Sequence, residues 1–418
     1  MNPSLYARHE ASFTLAPLTG KARAQIVVIG AGLTGLSAAL HLAEAGRDVV
    51  VLDAHEPGWG ASGRNGGQIN PGLKTTPDQV LEDFGPERGA VLARRAWAAP
   101  DLVFDLISRH NIACDAVRSG TIRAATVASQ MSALSSLAIQ CTALGNEAEL
   151  LTQEEISQRS GTAFYHGGMI DRRGGQLDPL AYTRGLALAA IKAGAKLHDR
   201  SAVSTLRRDG AGWSVVTPHG SIQAQQVILA TNGYSGPVHD RLRRSIVPVF
   251  SAIAASAPLP PPWRARILAQ RESLYELGEI TTYYRIDAAG RLLMGGRSAS
   301  RNLEGPEAFP YLIARARRLW PGLDKLEWEA GWNGQLALTL DHYPHLHQPE
   351  PGLLACVGYN GRGVAMATLM GQNLAELVQG GEALFPETPI KPIPFHFGWK
   401  AGVVAGIAKG RINDRLGL

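Results

Sequence analysis

The sequence predicts an α/β protein, and three features of its first sixty residues carry that expectation. QIVVIG (25–30) is a β-branched run with no polar interruption. An apolar-periodic stretch follows at once, with Leu33, Leu36, Leu40 and Ala43 on one face and Gly46 beyond its end. A second run, DVVVLDA (48–54), closes the unit. Short runs without alternation are the mark of strands buried on both faces of a parallel sheet, and the helix between them is the crossover that such a sheet requires.

The junction of the first strand and helix holds Gly30, Gly32 and Gly35 in G-x-G-x-x-G spacing. The first glycine permits the turn, the second lets backbone approach a pyrophosphate, and the third lets helix and strand pack closely. Leu33 and Thr34 open the helix, whose free N–H groups and partial positive charge face the phosphates. Asp53 ends the second strand 23 residues after Gly30, with Ala54 beside it. A carboxylate there can accept from ribose hydroxyls, so the unit reads as a Rossmann-like dinucleotide site.

Residues 58–69, GWGASGRNGGQI, decide which dinucleotide. A nicotinamide enzyme has no need of a second glycine-rich loop directly after the second strand. A flavin has, because its ring system lies beyond the pyrophosphate and must be held by another segment. Ala61 keeps the loop small. Ser62 and Arg64 can reach phosphate or ribityl oxygens, while Asn65, Gly66, Gly67 and Gln68 can present backbone N–H groups to the ring edge. FAD is the expected cofactor, held non-covalently because residues 58–68 contain no Cys or His.

At 418 residues the chain is too long for one ordinary core, so two closely associated domains are expected. A hydrophobic fraction of 45% and a charged fraction of 18% describe a soluble globular protein. The net charge of +5 is scattered, and the densest basic spot, RLRRS (241–245), is too short for a nucleic-acid surface, although it can attract an anionic substrate. Cys114, Cys141 and Cys356 lie far apart with no CxxC, which points to neither a disulfide framework nor zinc and fits the cytoplasm. No apolar run reaches the ~20 residues of a membrane span. The stretch after Lys21 and Arg23 is interrupted by His41 and Glu44, so it is not read as a signal peptide. DHYPHLH (341–347) is read as a solvated loop rather than a metal site, and the lack of G-x-S-x-G removes a serine hydrolase. The oligomeric state is left open.

VVIGAGLTGLSAALHLAEAG, then DA, then GWGASGRNGGQI resemble the FAD-dependent D-amino-acid oxidase superfamily, and within it the gamma-glutamylputrescine oxidase-like amine oxidases. GGQLDPL (174–180), VILATNGY (227–234), YYRIDAAGRLLMGGR (283–297), WNGQLALTLD (332–341) and GYNGRGVAMATLMGQNLAEL (358–377) are similar to family segments in the same order, as is the terminal DRLGL. The likeness covers nearly the whole chain. The cofactor domain is expected to be discontinuous, over 1–85, 160–240 and 335–418. The substrate domain takes 86–159, helical over 86–112 and 128–145, and 241–334. The latter reads as strands (PVFSAIAAS, ITTYYRID, RLLMGGR) with a helix near 306–319. An α+β domain built on an antiparallel sheet that covers the flavin is what the resemblance implies.

Ala202 and Val203 are expected to start a strand, and the family places such a valine's backbone against adenine. Thr231 and Asn232 end the buried strand QVILATNGY near the cofactor. Gly361, Arg362, Gly363 and Val364 form a glycine turn into a helix, whose N-terminus can stabilise negative charge on the flavin pyrimidine oxygen. Arg362 stands where many relatives carry His; it reinforces that charge, binds a substrate carboxylate or is simply solvated. Other substrate contacts are expected from Tyr283 or Tyr284, Arg285, Arg297 and Trp332. Alternation puts Tyr283 and Arg285 on one strand face and Tyr284 on the other, and core packing is an equal reading for each aromatic.

The implied reaction oxidises a C–N bond of a small amine: hydride leaves the carbon beside a deprotonated nitrogen for flavin N5, and the imine is hydrolysed. Such a step needs alignment and desolvation rather than a dedicated base, so no catalytic side chain is assigned. O2 is the expected acceptor, with another acceptor left open. Sarcosine-oxidase-like relatives place a lysine over the flavin for oxygen, and there is no lysine between residues 197 and 324. The alternative on the same fold is a D-amino-acid or N-methyl-amino-acid (sarcosine or glycine type) oxidase or dehydrogenase, with an Arg clamping the α-carboxylate. From a different class, an NAD-dependent dehydrogenase or a non-catalytic nucleotide-binding module is the competing reading.

Overall fold

The uninterrupted run that opens the sequence becomes the centre of a sheet. Strand Gly20–Ile29 ends in four buried residues and pairs parallel with Val49–Leu52 on one side and Gly220–Leu229 on the other. Lys196–His198 and Leu353–Val357 continue the parallel core outward, and His345–Glu350 closes one edge antiparallel. The sheet has eight strands because Gly220–Leu229 branches: its first half pairs with an antiparallel hairpin, Thr205–Asp209 and Gly212–Val216. The computed structural model describes residues 4–9, 13–236, 238–298 and 301–416, so the last two residues of DRLGL lie outside the described residues.

Helix Leu33–Glu44 lies against the first strand so closely that a Cβ at Gly35 would sit 1.9 Å from the Gly30 carbonyl oxygen. Helix Gly363–Val378 packs beside it, and both share one apolar cluster with Pro77–Phe84, Pro86–Trp97 and Ala99–Arg109. The helical stretch expected over 86–112 is therefore two helices. They part at Ala98, where Pro100 in the next helix's first turn lacks an N–H to continue the ladder.

A second eight-stranded sheet runs in the order Trp328–Leu338, Val247–Pro258, Arg291–Ser298, Tyr283–Ile286, Ser273–Glu276, Thr121–Ala125, Gly167–Asp171, Ala148–Leu151. Every neighbouring pair is antiparallel except Ser273–Glu276 beside Thr121–Ala125. Helix Pro310–Leu319 covers one face through Leu312, Ala316 and Leu319, which pack in the cluster holding Tyr284 and Trp320. The architecture is the α/β one expected, a Rossmann-like parallel sheet joined to an α+β unit on a largely antiparallel sheet.

Three strands of that second sheet were not legible. TIRAA and GGMID are buried at all five positions yet show neither alternation nor an unbroken β-branched run, and AELL is four residues long. Ala202 and Val203 do not start a strand. They lie in a connection just before Thr205–Asp209, flanked by Ser201, whose N–H donates to the Asp53 carbonyl at 2.7 Å, and Ser204, whose N–H donates to the Val216 carbonyl at 2.9 Å.

Helix Pro179–Lys192 starts at Asp178, whose Oδ1 accepts from the N–H groups of Leu180 (2.9 Å) and Ala181 (3.0 Å). Asp178→Ala removes that cap and is expected to cost about 1–2 kcal/mol, read as a lower urea midpoint at unchanged slope.

Candidate cofactor and substrate site

A cavity of about 720 Å³ runs from the glycine turn after Gly20–Ile29 to the face of the second sheet. Its size falls within the range of about 300–1,000 Å³ usual for ligand pockets. At the first end Gly32 is the N-cap of helix Leu33–Glu44 and has no side chain to occupy the helix's free donors. The Leu33 N–H donates to Ser62 Oγ at 3.0 Å, and a Cβ on Gly32 would lie 2.7 Å from that oxygen. Asp53 is held by two backbone donors, Ala31 N–H at 2.6 Å and His55 N–H at 2.8 Å. Burial pushes its carboxyl up to about 6 against these two donors. Thr34 Oγ1 and Tyr359 OH, 2.6 Å apart, tie the first helix turn to the glycine turn before Gly363–Val378.

The loop 58–69 forms the middle of the wall, and its polar side chains mostly hold the loop itself. Asn65 Nδ2 donates to the carbonyls of Ala61 (3.2 Å) and Ser62 (2.7 Å), while its Oδ1 accepts the Gly67 N–H at 2.8 Å. Arg64 donates from Nε to the Trp59 carbonyl at 2.7 Å and lies 4.4 Å from the Trp59 ring centre. Other elements grip the remaining carbonyls: Trp332 Nε1 donates to Arg64 O at 2.9 Å, Arg285 Nε to Gly66 O at 2.6 Å, and the Leu177 N–H to Gly67 O at 2.8 Å.

The far end is cationic. Arg362 Nη2 donates to Tyr275 OH at 2.9 Å, and the guanidinium groups of Arg362 and Arg123 lie 4.9 and 5.7 Å from the Tyr275 ring centre. Lys74 and Arg297 line the same end. Burial among protein atoms and then the charges of Arg362, Arg297 and Arg123 bring Lys74 down to about 8, although solvent in the open cavity still reaches it. Burial also lowers Arg297. Helix Gly363–Val378 points its N-terminus here with no side-chain cap.

Residues 25–377 match the DAO family, described as FAD dependent oxidoreductase. The chain belongs to that family. A probable oxidoreductase OrdL of Haemophilus influenzae is 32% identical over 378 residues, spanning 88% of this chain and 86% of its own length. The gamma-glutamylputrescine oxidoreductase of Escherichia coli is 29% identical over 399 residues, with 94% and 93% covered. Among solved structures, glycine oxidase from Geobacillus kaustophilus superposes with a TM-score of 0.74 over 89% of this chain and 99% of its own, at 24% identity.

The DAO-family cavity fits FAD by its donors and shape. Two helix N-termini face it, Asp53 offers a carboxylate beside the first of them, and Gly32 leaves room that a side chain would close. Gly30, Leu33, Thr34, Ala54, Ala61, Ser62, Arg64, Asn65, Gly66, Gln68, Val203, Thr231, Asn232, Gly361, Arg362, Gly363 and Val364 also line it, as do Tyr283 and Arg297. Gly35 and Gly67 lie behind the wall, one packing helix on strand and the other joining the loop to Leu177.

Three residues expected at the substrate lie off the wall. Tyr284 faces the second sheet's core, edge-on to Trp320 at 5.1 Å. Arg285 shares the face of Tyr283 but donates to Gly66, to Gln176 Oε1 at 2.9 Å and to Tyr6 OH at 3.1 Å. Trp332 is fully buried against Tyr6 at 5.2 Å. Tyr283 reaches the cavity, its hydroxyl 2.9 Å from Ser251 Oγ. In DHYPHLH, His345 Nε2 pairs with Asp341 at 2.9 Å and His347 Nδ1 lies 2.7 Å from the Thr388 carbonyl oxygen.

Lys74 and Tyr275 escaped sequence reasoning. Lys74 had only its closeness to the loop 58–69 as a signal, and Tyr275, in the short strand SLYE, had none.

Gly32→Val is expected to purify without flavin absorbance, because the new side chain meets Ser62 where the backbone must stay open. If the Asp53 carboxylate accepts from the ribose, FAD affinity should be flat above about pH 6 and weaken as the pH falls through that value, by up to about tenfold per unit. Asp53→Ala should bind FAD about 1.5–3 kcal/mol more weakly at neutral pH and lose this slope in a flavin titration.

Proposed function

We propose that the enzyme oxidises a C–N bond of a small amine that also carries a carboxylate, in the manner of a gamma-glutamylputrescine oxidase, with O2 as acceptor. One observation carries the reading: Lys74 and Arg297 face the cavity with no carboxylate paired to either among the described residues. Cations kept half out of water without a partner call for an anionic ligand group. The relative from Escherichia coli is named for a γ-glutamyl amide of a diamine, which has a carboxylate at one end and an oxidisable amine at the other.

The N-terminus of helix Leu33–Glu44 would hold the pyrophosphate, Asp53 the ribose, and the loop 58–69 the ring, with the N-terminus of Gly363–Val378 near the pyrimidine edge. FAD, when bound there, supplies the hydride acceptor. We take it to be non-covalent, and we place the enzyme in the cytoplasm, in keeping with three free, buried cysteines. Tyr275 and Tyr283 wall the substrate end and exclude water. The charges of Lys74, Arg297 and Arg362 lower the pKa of any amine bound beside them, favouring the neutral nitrogen that hydride loss requires. Alignment, desolvation and this bias replace a dedicated base.

A D-amino acid or an N-methyl amino acid satisfies the same cations, which keeps the second reading open to the same experiment. Anaerobic titration of the flavin band with gamma-glutamylputrescine, putrescine, sarcosine and D-alanine separates them. Bleaching by gamma-glutamylputrescine but not putrescine is expected. Bleaching only by sarcosine or D-alanine selects the second reading, and bleaching by putrescine overturns the carboxylate requirement. Return of colour on admitting air makes the enzyme an oxidase, and its failure a dehydrogenase.

Lys74→Met should raise KM with kcat little changed. Lys74 is charged below about pH 8 and neutral above it, so kcat/KM should fall as the pH rises through that value in the wild type but not in the variant.

A further inference from the structure

Residues 391–416 hold five Lys and Arg against one Asp, in a chain whose whole net charge is +5. Positive charge is therefore concentrated at one end. The lone Asp414 is engaged, accepting the N–H groups of Glu279 (2.8 Å) and Ile280 (3.0 Å). The segment before helix Trp399–Leu416 is fastened to the RLRRS stretch. The Ile393 N–H donates to Arg244 O at 2.8 Å, and Arg241 Nη2 donates to Ile390 O at 3.2 Å. Arg241, Arg243 and Arg244 are exposed beside it, the last two sharing Asp240.

Out of this basic surface stand two aromatic side chains. Phe395 is 81% exposed and Phe397 89%, with their ring centres 6.3 Å apart. Phe395 also has φ of 54°, a left-handed backbone that a phenylalanine adopts only at a cost, so neither core packing nor local preference accounts for it. The helix that follows exposes Val404, Ala408 and Ile412, spaced four residues apart on one face. Single exposed apolar residues are ordinary, but an apolar stripe and an aromatic pair set among cations are the pattern of a helix lying in a membrane interface. No helix among the described residues is long and apolar enough to cross a bilayer. A two-fold contact between copies would lay this patch against itself, cation on cation.

We propose that this end of the molecule docks on an anionic lipid surface, with Phe395, Phe397 and the Val404–Ile412 face in the acyl boundary and the exposed Lys391, Lys400, Lys409 and Arg241 at the phosphate headgroups. Through Asp414 the docked helix holds the 277–281 turn, whose Thr281 belongs to the cavity wall, so the bilayer would lie beside the substrate end.

Flotation of the FAD-loaded enzyme with phosphatidylcholine vesicles, with and without phosphatidylglycerol, tests this. Binding to the anionic vesicles alone, weakened by added salt, is expected. Phe395→Ser/Phe397→Ser should lower vesicle affinity at least about tenfold, the scale of withdrawing one phenylalanine from an apolar phase, while flavin absorbance and turnover stay unchanged. Three results would overturn the proposal: no flotation, flotation indifferent to lipid charge, or flotation unchanged in the double variant. So would a wild-type dimer seen by light scattering that the double variant loses, since a second copy would then cover the face.

Discussion

Arg285 donates from Nε to the carbonyl of Gly66 at 2.6 Å, across 219 residues of chain, and this contact ties the cavity-lining loop 58–69 to the second sheet. The loop 58–69 can present its backbone to a cofactor only if its own carbonyls are held from behind. Arg285 holds one, Trp332 another and Leu177 a third. The guanidinium is itself almost completely buried, so its other donors must be satisfied, and Gln176 and Tyr6 do so. Removing any one partner would leave a buried charge short of acceptors, which is far more costly than the loss of a neutral contact.

The electric character of the cavity follows from the same arrangement. Two neighbouring helices, Leu33–Glu44 and Gly363–Val378, point their N-termini at it, and Asp53 is the acidic group at the end nearer the first of them. At the other end, Lys74, Arg297, Arg362 and Arg123 converge around Tyr275. On the proposed reading the cavity runs from the nucleotide's hydroxyls and phosphates to the substrate's carboxylate, and an amine held between them near the cations would be costly to keep protonated.

Most of the cofactor side was legible because its determinants are local. Gly30, Gly32 and Gly35 act within one turn, Asp53 follows at the end of the next strand, and the loop 58–69 reveals itself by glycine density. The substrate side was legible only in part. Tyr283 and Tyr284 carry nearly the same chemistry, and which of them faces the cavity depends on which side of Tyr283–Ile286 meets the loop. Arg285 and Trp332 were expected at the substrate because they lie in segments resembling those with which the family covers the flavin. Here both serve the loop instead, and nothing in their neighbours along the chain distinguishes the two uses.

By itself the sequence determined the strand–helix–strand unit, the flavin-type second loop and the order of segments that marks an FAD-dependent oxidoreductase, since each is written in residue spacing and backbone freedom over a few dozen positions. Only the tertiary structure decided that Thr121–Ala125, Ala148–Leu151 and Gly167–Asp171 complete the second sheet, that Lys74 joins three arginines at one end of the cavity, and that Phe395 and Phe397 stand uncovered. Those outcomes depend on what packs against each segment from far along the chain, and burial and charge convergence leave no trace in local periodicity.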